Sequence, residues 1–128
     1  MSLNSLINQS YRNITIYIID NCSNDNTGNI CKKFYSNDSR IKYIKNKKHI
    51  GSALNFLEAV KQGCFYNDYD YFAFARGDAY YSEGVIEKCI GALEKYNHAV
   101  LAYPVPKWVN TKSETLENKS ISYYDSLG

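Results

Sequence analysis

The chain has 128 residues, of which 45% are hydrophobic and 22% charged, with a formal net charge of +2. That length holds one core-bearing domain at most, the composition excludes a disordered chain, and the small net charge gives no basis for nucleic-acid binding. No apolar run approaches the roughly 20 residues that span a bilayer, and the mixed opening stretch lacks the charged start and apolar core of a signal peptide.

Residues 14–19 (Ile-Thr-Ile-Tyr-Ile-Ile) are β-branched and nearly all apolar, which predicts a strand buried on both faces. The strand stops at Asp20. The polar cluster 21–27 then predicts a strand-to-helix loop, with Ser23 or Asn24 as N-cap. A short helix follows with Ile30, Cys31 and Phe34 inward, and residues 36–39 form a turn. Residues 41–44 alternate like a shorter strand nearer an edge. Beyond the loop 46–51, Ala53, Leu54, Leu57 and Val60 recur at helical spacing.

The aromatic-rich run 70–75 is the next predicted strand. A helix then starts at Ser82 as N-cap, with Glu83 and Glu87 at its positive end and Lys95 in its last turn. Its apolar stripe is Val85, Ile86, Cys89, Ile90, Leu93 and Tyr96. Residues 99–103 predict a fourth strand, ended by Pro104 and Pro106, and residues 110–128 are polar and without period.

Cys22, Cys31, Cys64 and Cys89 are widely spaced, with no C-x-x-C pair and no His at zinc-ligand spacing, so reduced thiols in a cytoplasmic protein are expected. Alternating strands and helices predict an α/β fold: a three-layer α/β/α arrangement around a mostly parallel sheet. Ligands in such sheets bind beyond the carboxyl ends of the strands. Asp20 ends the first strand and Asp78 follows the third, which puts both carboxylates at one edge. The G-x-G-x-x-G and G-x-x-x-x-G-K-[ST] loops are absent, which disfavours a dinucleotide-binding Rossmann domain and a P-loop nucleotidase. Carboxylates without a glycine-rich loop point instead to phosphate held through a metal ion.

Four runs in order carry a family resemblance. Residues 5–13 (SLINQSYRN) resemble the S-x-x-N-Q-[ST]-Y-x-N run of family-2 glycosyltransferases, and residues 18–27 (IIDNCSNDNT) resemble that family's I-I-D-D-x-S-x-D-x-T. Residues 45–56 are similar to its N-x-G-x-x-x-N-F segment, and residues 75–80 (ARGDAY) fall where it carries a metal-binding acidic motif. The resemblance runs from Ser5 to about Tyr103. It implies a GT-A nucleotide-diphospho-sugar transferase fold over residues 1–109, lacking the family's first strand and its C-terminal part. Residues 110–128 would be a polar tail or the start of an acceptor-binding segment.

By this resemblance Asp20 would hydrogen-bond the nucleotide base, with Asn21, Gly51 and Asn55 around the nucleotide. Gly51 would serve a close backbone approach, or only a turn before the helix. Asp78 would bind the metal, magnesium or manganese, or the diphosphate. The family motif has two or three acidic residues and this chain has one, so Arg76 is a second candidate for neutralising the diphosphate, as a bidentate donor. The implied reaction is inverting sugar transfer from a nucleoside-diphosphate sugar to a saccharide or lipid-linked acceptor, at the inner face of a membrane, in cell-surface polysaccharide or glycoconjugate synthesis. The family's catalytic base comes from a later segment and has no counterpart to name. Two other readings of the residues stand beside this one. One is a non-catalytic remnant that binds a nucleotide or a partner chain through an open sheet edge; the other is a plain α/β domain alike in fold alone.

Overall fold

A computed structural model describes residues 2–107. The chain divides into two compact units, Met1–Glu87 and Lys88–Gly128.

In the first unit, α1 (Ser2–Ile7) precedes β1 (Ile16–Asp20), α2 (Thr27–Asn37) and β2 (Ile41–Lys45). α3 (Ser52–Val60) follows and runs into a five-residue π-helix, Lys61–Phe65. β1 and β2 are parallel, with Ile16 opposite Ile41 and Asp20 opposite Lys45. Parallel neighbours need a crossover connection, and α2 supplies it. The α/β class expected from the alternating pattern therefore holds.

Several details differ from the expectations. β1 begins at Ile16 because the Ile14 amide donates back to the Arg12 carbonyl (2.9 Å), while the Ile16 amide donates to Arg40 (2.9 Å). Its apolar residues are half-buried and not buried on both faces; only Asp20 is fully covered. α2 starts later than Ser23 or Asn24 would place it. The Asp25 carboxylate accepts from the Thr27 amide at 2.9 Å instead, an Asx turn leading into the helix.

Residues 70–75 and 99–103 form no strand. A strand exists only as a member of a ladder, and β1 pairs on one edge alone among the described residues. The run 70–75 is held by its rings instead. Phe74 stacks on Phe56 of α3, with ring centroids 3.7 Å apart, and Phe72 meets Phe74 edge-on at 4.7 Å. Phe72 also lies against Gly63 of the π-helix so closely that a Cβ there would strike its ring. Aromatic contact has replaced hydrogen-bond pairing.

Cys31 and Ile41 are the fully buried apolar residues among those described. α3 has the expected helical period, but Leu54 and Leu57 of its predicted inner stripe stand 56% and 45% exposed.

α4 (Val85–Lys95) begins three residues after Ser82, spans the junction of the units, and has Glu87 in its first turn and Lys95 in its last. In the second unit the Lys95 ammonium lies 5.3 Å from the centre of the Tyr96 ring. Val100, Leu101 and Tyr103 are exposed. The segment 110–128 lies outside the described residues. No described helix is long and apolar enough to cross a membrane.

Candidate functional site

The carboxyl ends of β1 and β2 lie side by side, and the chain leaves them as Asp20-Asn21 and Lys45-Asn46. A parallel pair places such residues at one edge of the sheet, where open α/β sheets bind ligands. The Asp20 side chain is fully enclosed. The Ser23 amide donates to its Oδ1 at 2.7 Å and the Tyr43 hydroxyl to its Oδ2 at 2.6 Å. The Lys45 Nζ stands 4.0 Å from Oδ2 and donates to the Ser23 carbonyl at 2.8 Å. Burial alone would raise the Asp20 pKa. The hydrogen bonds from Ser23 and Tyr43, with the Lys45 charge, outweigh it and hold the carboxyl below its ordinary value. The same hydrogen bond to a carboxylate, together with burial, pushes Tyr43 up to about 12. Asp20 is therefore an ionised, enclosed acceptor with one hydrogen-bond donor on each oxygen.

Beside Asp20 three asparagines join both strand ends to α3. Asn21 Oδ1 accepts from the Ile50 amide (2.9 Å) and from Asn46 Nδ2 (3.4 Å). Asn46 Nδ2 also donates to Asn55 Oδ1 at 2.8 Å, and Asn55 Nδ2 donates to the Ile19 carbonyl at 3.4 Å. The Asn46 backbone amide donates to the Asp20 carbonyl at 2.9 Å. Amides can do this because each carries both donor and acceptor atoms. Gly51 precedes α3 at φ 80°, ψ 164°, a conformation almost confined to glycine. A Cβ at Gly51 would meet no atom of the described residues within 4 Å, so the requirement they set is conformational. Cys22 also has a positive φ, 65°, which turns the chain sharply after Asn21. The structure thus brings Asp20, Asn21, Gly51 and Asn55 together.

Arg76 and Asp78 form a separate group. The guanidinium Nε and Nη2 donate to the two Asp78 oxygens at 2.9 and 2.7 Å, and both side chains are largely exposed. Pairing with Arg76 holds the Asp78 carboxyl below its ordinary range. The backbone of this turn is pinned from α1: Ser2 Oγ donates to the Arg76 carbonyl at 2.8 Å, and the Tyr81 amide donates to Ser5 Oγ at 3.1 Å. Gln9 is 1% exposed. Its Nε2 donates to the carbonyls of Ser5 (3.0 Å), Ser82 (2.9 Å) and Tyr81 (3.4 Å), and its Oε1 accepts from the Ile86 amide at 3.3 Å. So the first turn of α4 is capped by Gln9, where Ser82 had been expected; Ser82 contributes its carbonyl.

No group of three His, Cys, Asp or Glu side chains among the described residues could hold a metal ion. At the 76–78 turn the donor set is one carboxylate already bound to a guanidinium, which does not fit a metal cage. A cavity of about 240 Å³ lined by Asn4, Ser5, Asn8, Tyr80, Tyr81 and Glu83 shares no residue with the Asp20 cluster.

Sequence reasoning does not single out Asn46, Tyr43 or Gln9. Asn46 was findable, because it follows the end of β2 as Asn21 follows the end of β1. The roles of Tyr43 and Gln9 depend on contacts across 23 and more than 70 residues, and no local signal carries them.

Residues 2–126 match the family model for glycosyl transferase family 2. An uncharacterized glycosyltransferase of Haemophilus influenzae is 37% identical over 97 residues, covering 76% of this chain and 29% of the relative. The dTDP-rhamnosyl transferase RfbG of Shigella flexneri is 34% identical over 108 residues, covering 79% and 37%. The glycosyltransferase GlyG of Streptococcus pneumoniae is 31% identical over 84 residues, covering 64% and 26%. The chain spans about a third of the length of the curated relatives it matches.

Proposed function

The chain belongs to glycosyl transferase family 2, and from that premise we propose that it supplies the donor-binding part of a sugar transferase acting on a nucleoside-diphosphate sugar. The observation that carries this reading is the cluster at the carboxyl ends of β1 and β2, where Asn21, Asn46 and Asn55 bind one another around Asp20.

Each residue has a task that its chemistry fits. An ionised carboxylate only accepts hydrogen bonds, so Asp20 takes an N–H of the nucleotide base in exchange for the Tyr43 hydroxyl. The asparagine lattice holds the loops 20–23 and 46–51 at fixed spacing, and Gly51 shapes the second of them. At the 76–78 turn, Arg76 faces the diphosphate. Its guanidinium uses two of its N–H groups on Asp78 and keeps others for phosphate oxygens. When the bond from the sugar to the diphosphate breaks, its electron pair goes to the leaving phosphate oxygen, and positive charge nearby stabilises it. The acceptor hydroxyl, on a saccharide or lipid-linked sugar, forms the new bond and gives up its proton. A general base receives that proton. A magnesium or manganese ion would offset the negative charge of the diphosphate, but the residues at this turn do not make a cage for one.

The test is calorimetric titration of the chain with UDP-, GDP- and dTDP-sugars, on the native sequence and on Asn46→Ala. One donor class should bind, and Asn46→Ala should weaken it roughly tenfold, the size of one or two lost hydrogen bonds. Equal affinity in the variant would remove the asparagine lattice from the site.

A further inference from the structure

α1 presents Ser2 and Ser5 at i and i+3, one face of the helix, Gln9 follows two residues after its end, and all three side chains point polar atoms at the segment 76–86. Ser2 holds the Arg76 carbonyl, Ser5 the Tyr81 amide, and Gln9 the carbonyls of Tyr81 and Ser82 and the amide of Ile86. All three residues are buried, at 7%, 7% and 1% exposure. Gln9 spends its amide nitrogen on three carbonyls and its oxygen on one amide, so it cannot shift without leaving several buried groups unpaired. The Tyr81 hydroxyl closes the loop by accepting from the Arg76 amide at 2.6 Å. Among the described residues the turn bearing Arg76 and Asp78 has no ladder beside it, and these polar contacts locate it.

We infer that Gln9, with Ser2 and Ser5, is a positioning residue for the diphosphate contact: it sets where the Arg76 guanidinium stands and touches no ligand itself. This rests on the reading that Arg76 meets the donor diphosphate. Loss of Gln9 should then act on the phosphate contact and leave the base site unaffected, because no hydrogen bond among the described residues joins Gln9 to the Asp20–Asn55 cluster.

The experiment titrates the full chain with a nucleoside diphosphate and the matching monophosphate, using whichever of UDP, GDP and dTDP binds best. The native chain should prefer the diphosphate roughly tenfold, as expected of one added charge-assisted hydrogen bond. In Gln9→Ala that preference should shrink towards unity while monophosphate affinity stays within about twofold of native. Ser2→Ala removes a single 2.8 Å bond to Arg76 and should shift the ratio the same way by a smaller factor, so it decides the matter if Gln9→Ala does not fold. Parallel loss of both affinities, or an unchanged ratio in the folded variants, would overturn the inference while leaving donor binding intact. A native chain that binds neither nucleotide would overturn the donor-site reading itself, and this inference with it.

Discussion

Asp20 and Tyr43 show how two residues fix each other's charge. The short hydrogen bond between them lowers the carboxyl pKa and raises the phenol to about 12, so the pair is most stable with Asp20 ionised and Tyr43 neutral. The contribution of Asp20 to stability is complete above the ordinary carboxylate value of about 4 and is lost as the pH falls through its depressed folded value. That of Tyr43 is complete below about 10, the ordinary phenol value, and is lost as the pH rises through its folded value of about 12. Tyr43→Phe should lower stability by about 1–3 kcal/mol at neutral pH, since one buried carboxylate oxygen loses its donor. It should also reduce the alkaline limb of the pH–stability curve, though not abolish it, because Tyr17 is pushed up to about 12 as well. Urea melts of both proteins across the pH range check this. Nucleotide affinity should not fall in this variant, because the freed oxygen is the one offered to the base.

At the scale of elements, α2, α3 and α4 were legible and the third and fourth strands were not. Apolar residues at 3.6-residue spacing locate α3 and α4 within a few positions, because that period belongs to the helix alone. A short run such as Asp-Tyr-Phe-Ala-Phe-Ala reads the same whether it pairs in a ladder or lies extended with its rings on a helix. Whether it becomes a strand depends on a neighbour elsewhere in the chain, which local composition does not encode. The cap of α4 failed for the same reason: Ser82 is a plausible N-cap, but Gln9, 77 residues before Ile86, reaches the orphan amide. For Gly51 the sequence left a close backbone approach or a turn before the helix open, and its φ of 80° fits the turn. Gly51→Ala should cost about 1–3 kcal/mol and loosen the Ile50 amide from Asn21. Chemical denaturation measures this; a change within about 0.5 kcal/mol would mean the loop relaxes without strain.

For the whole molecule, the family resemblance quoted from four sequence runs agrees with the match over residues 2–126. Of the candidate site, Asp20, Asn21, Gly51 and Asn55, named by the family resemblance, lie together at the ends of β1 and β2, whereas Asp78, set beside Asp20 at one sheet edge by the strand-end rule, pairs with Arg76 in its own group, because residues 70–75 form no strand. What the sequence could not carry is how the two groups are held: by asparagines in one case, and in the other by Ser2 and Ser5 of α1 with Gln9 just beyond it. The central claim is that a nucleoside-diphosphate sugar binds at the carboxyl ends of β1 and β2. It is tested most directly by amide chemical-shift mapping of the ¹⁵N-labelled chain during titration with UDP-, GDP- and dTDP-sugars. One donor should move the backbone amides of Asn21, Ser23, Ile50 and Gly51 and the side-chain amides of Asn46 and Asn55. Shifts confined to other residues, or none with any donor, would contradict it.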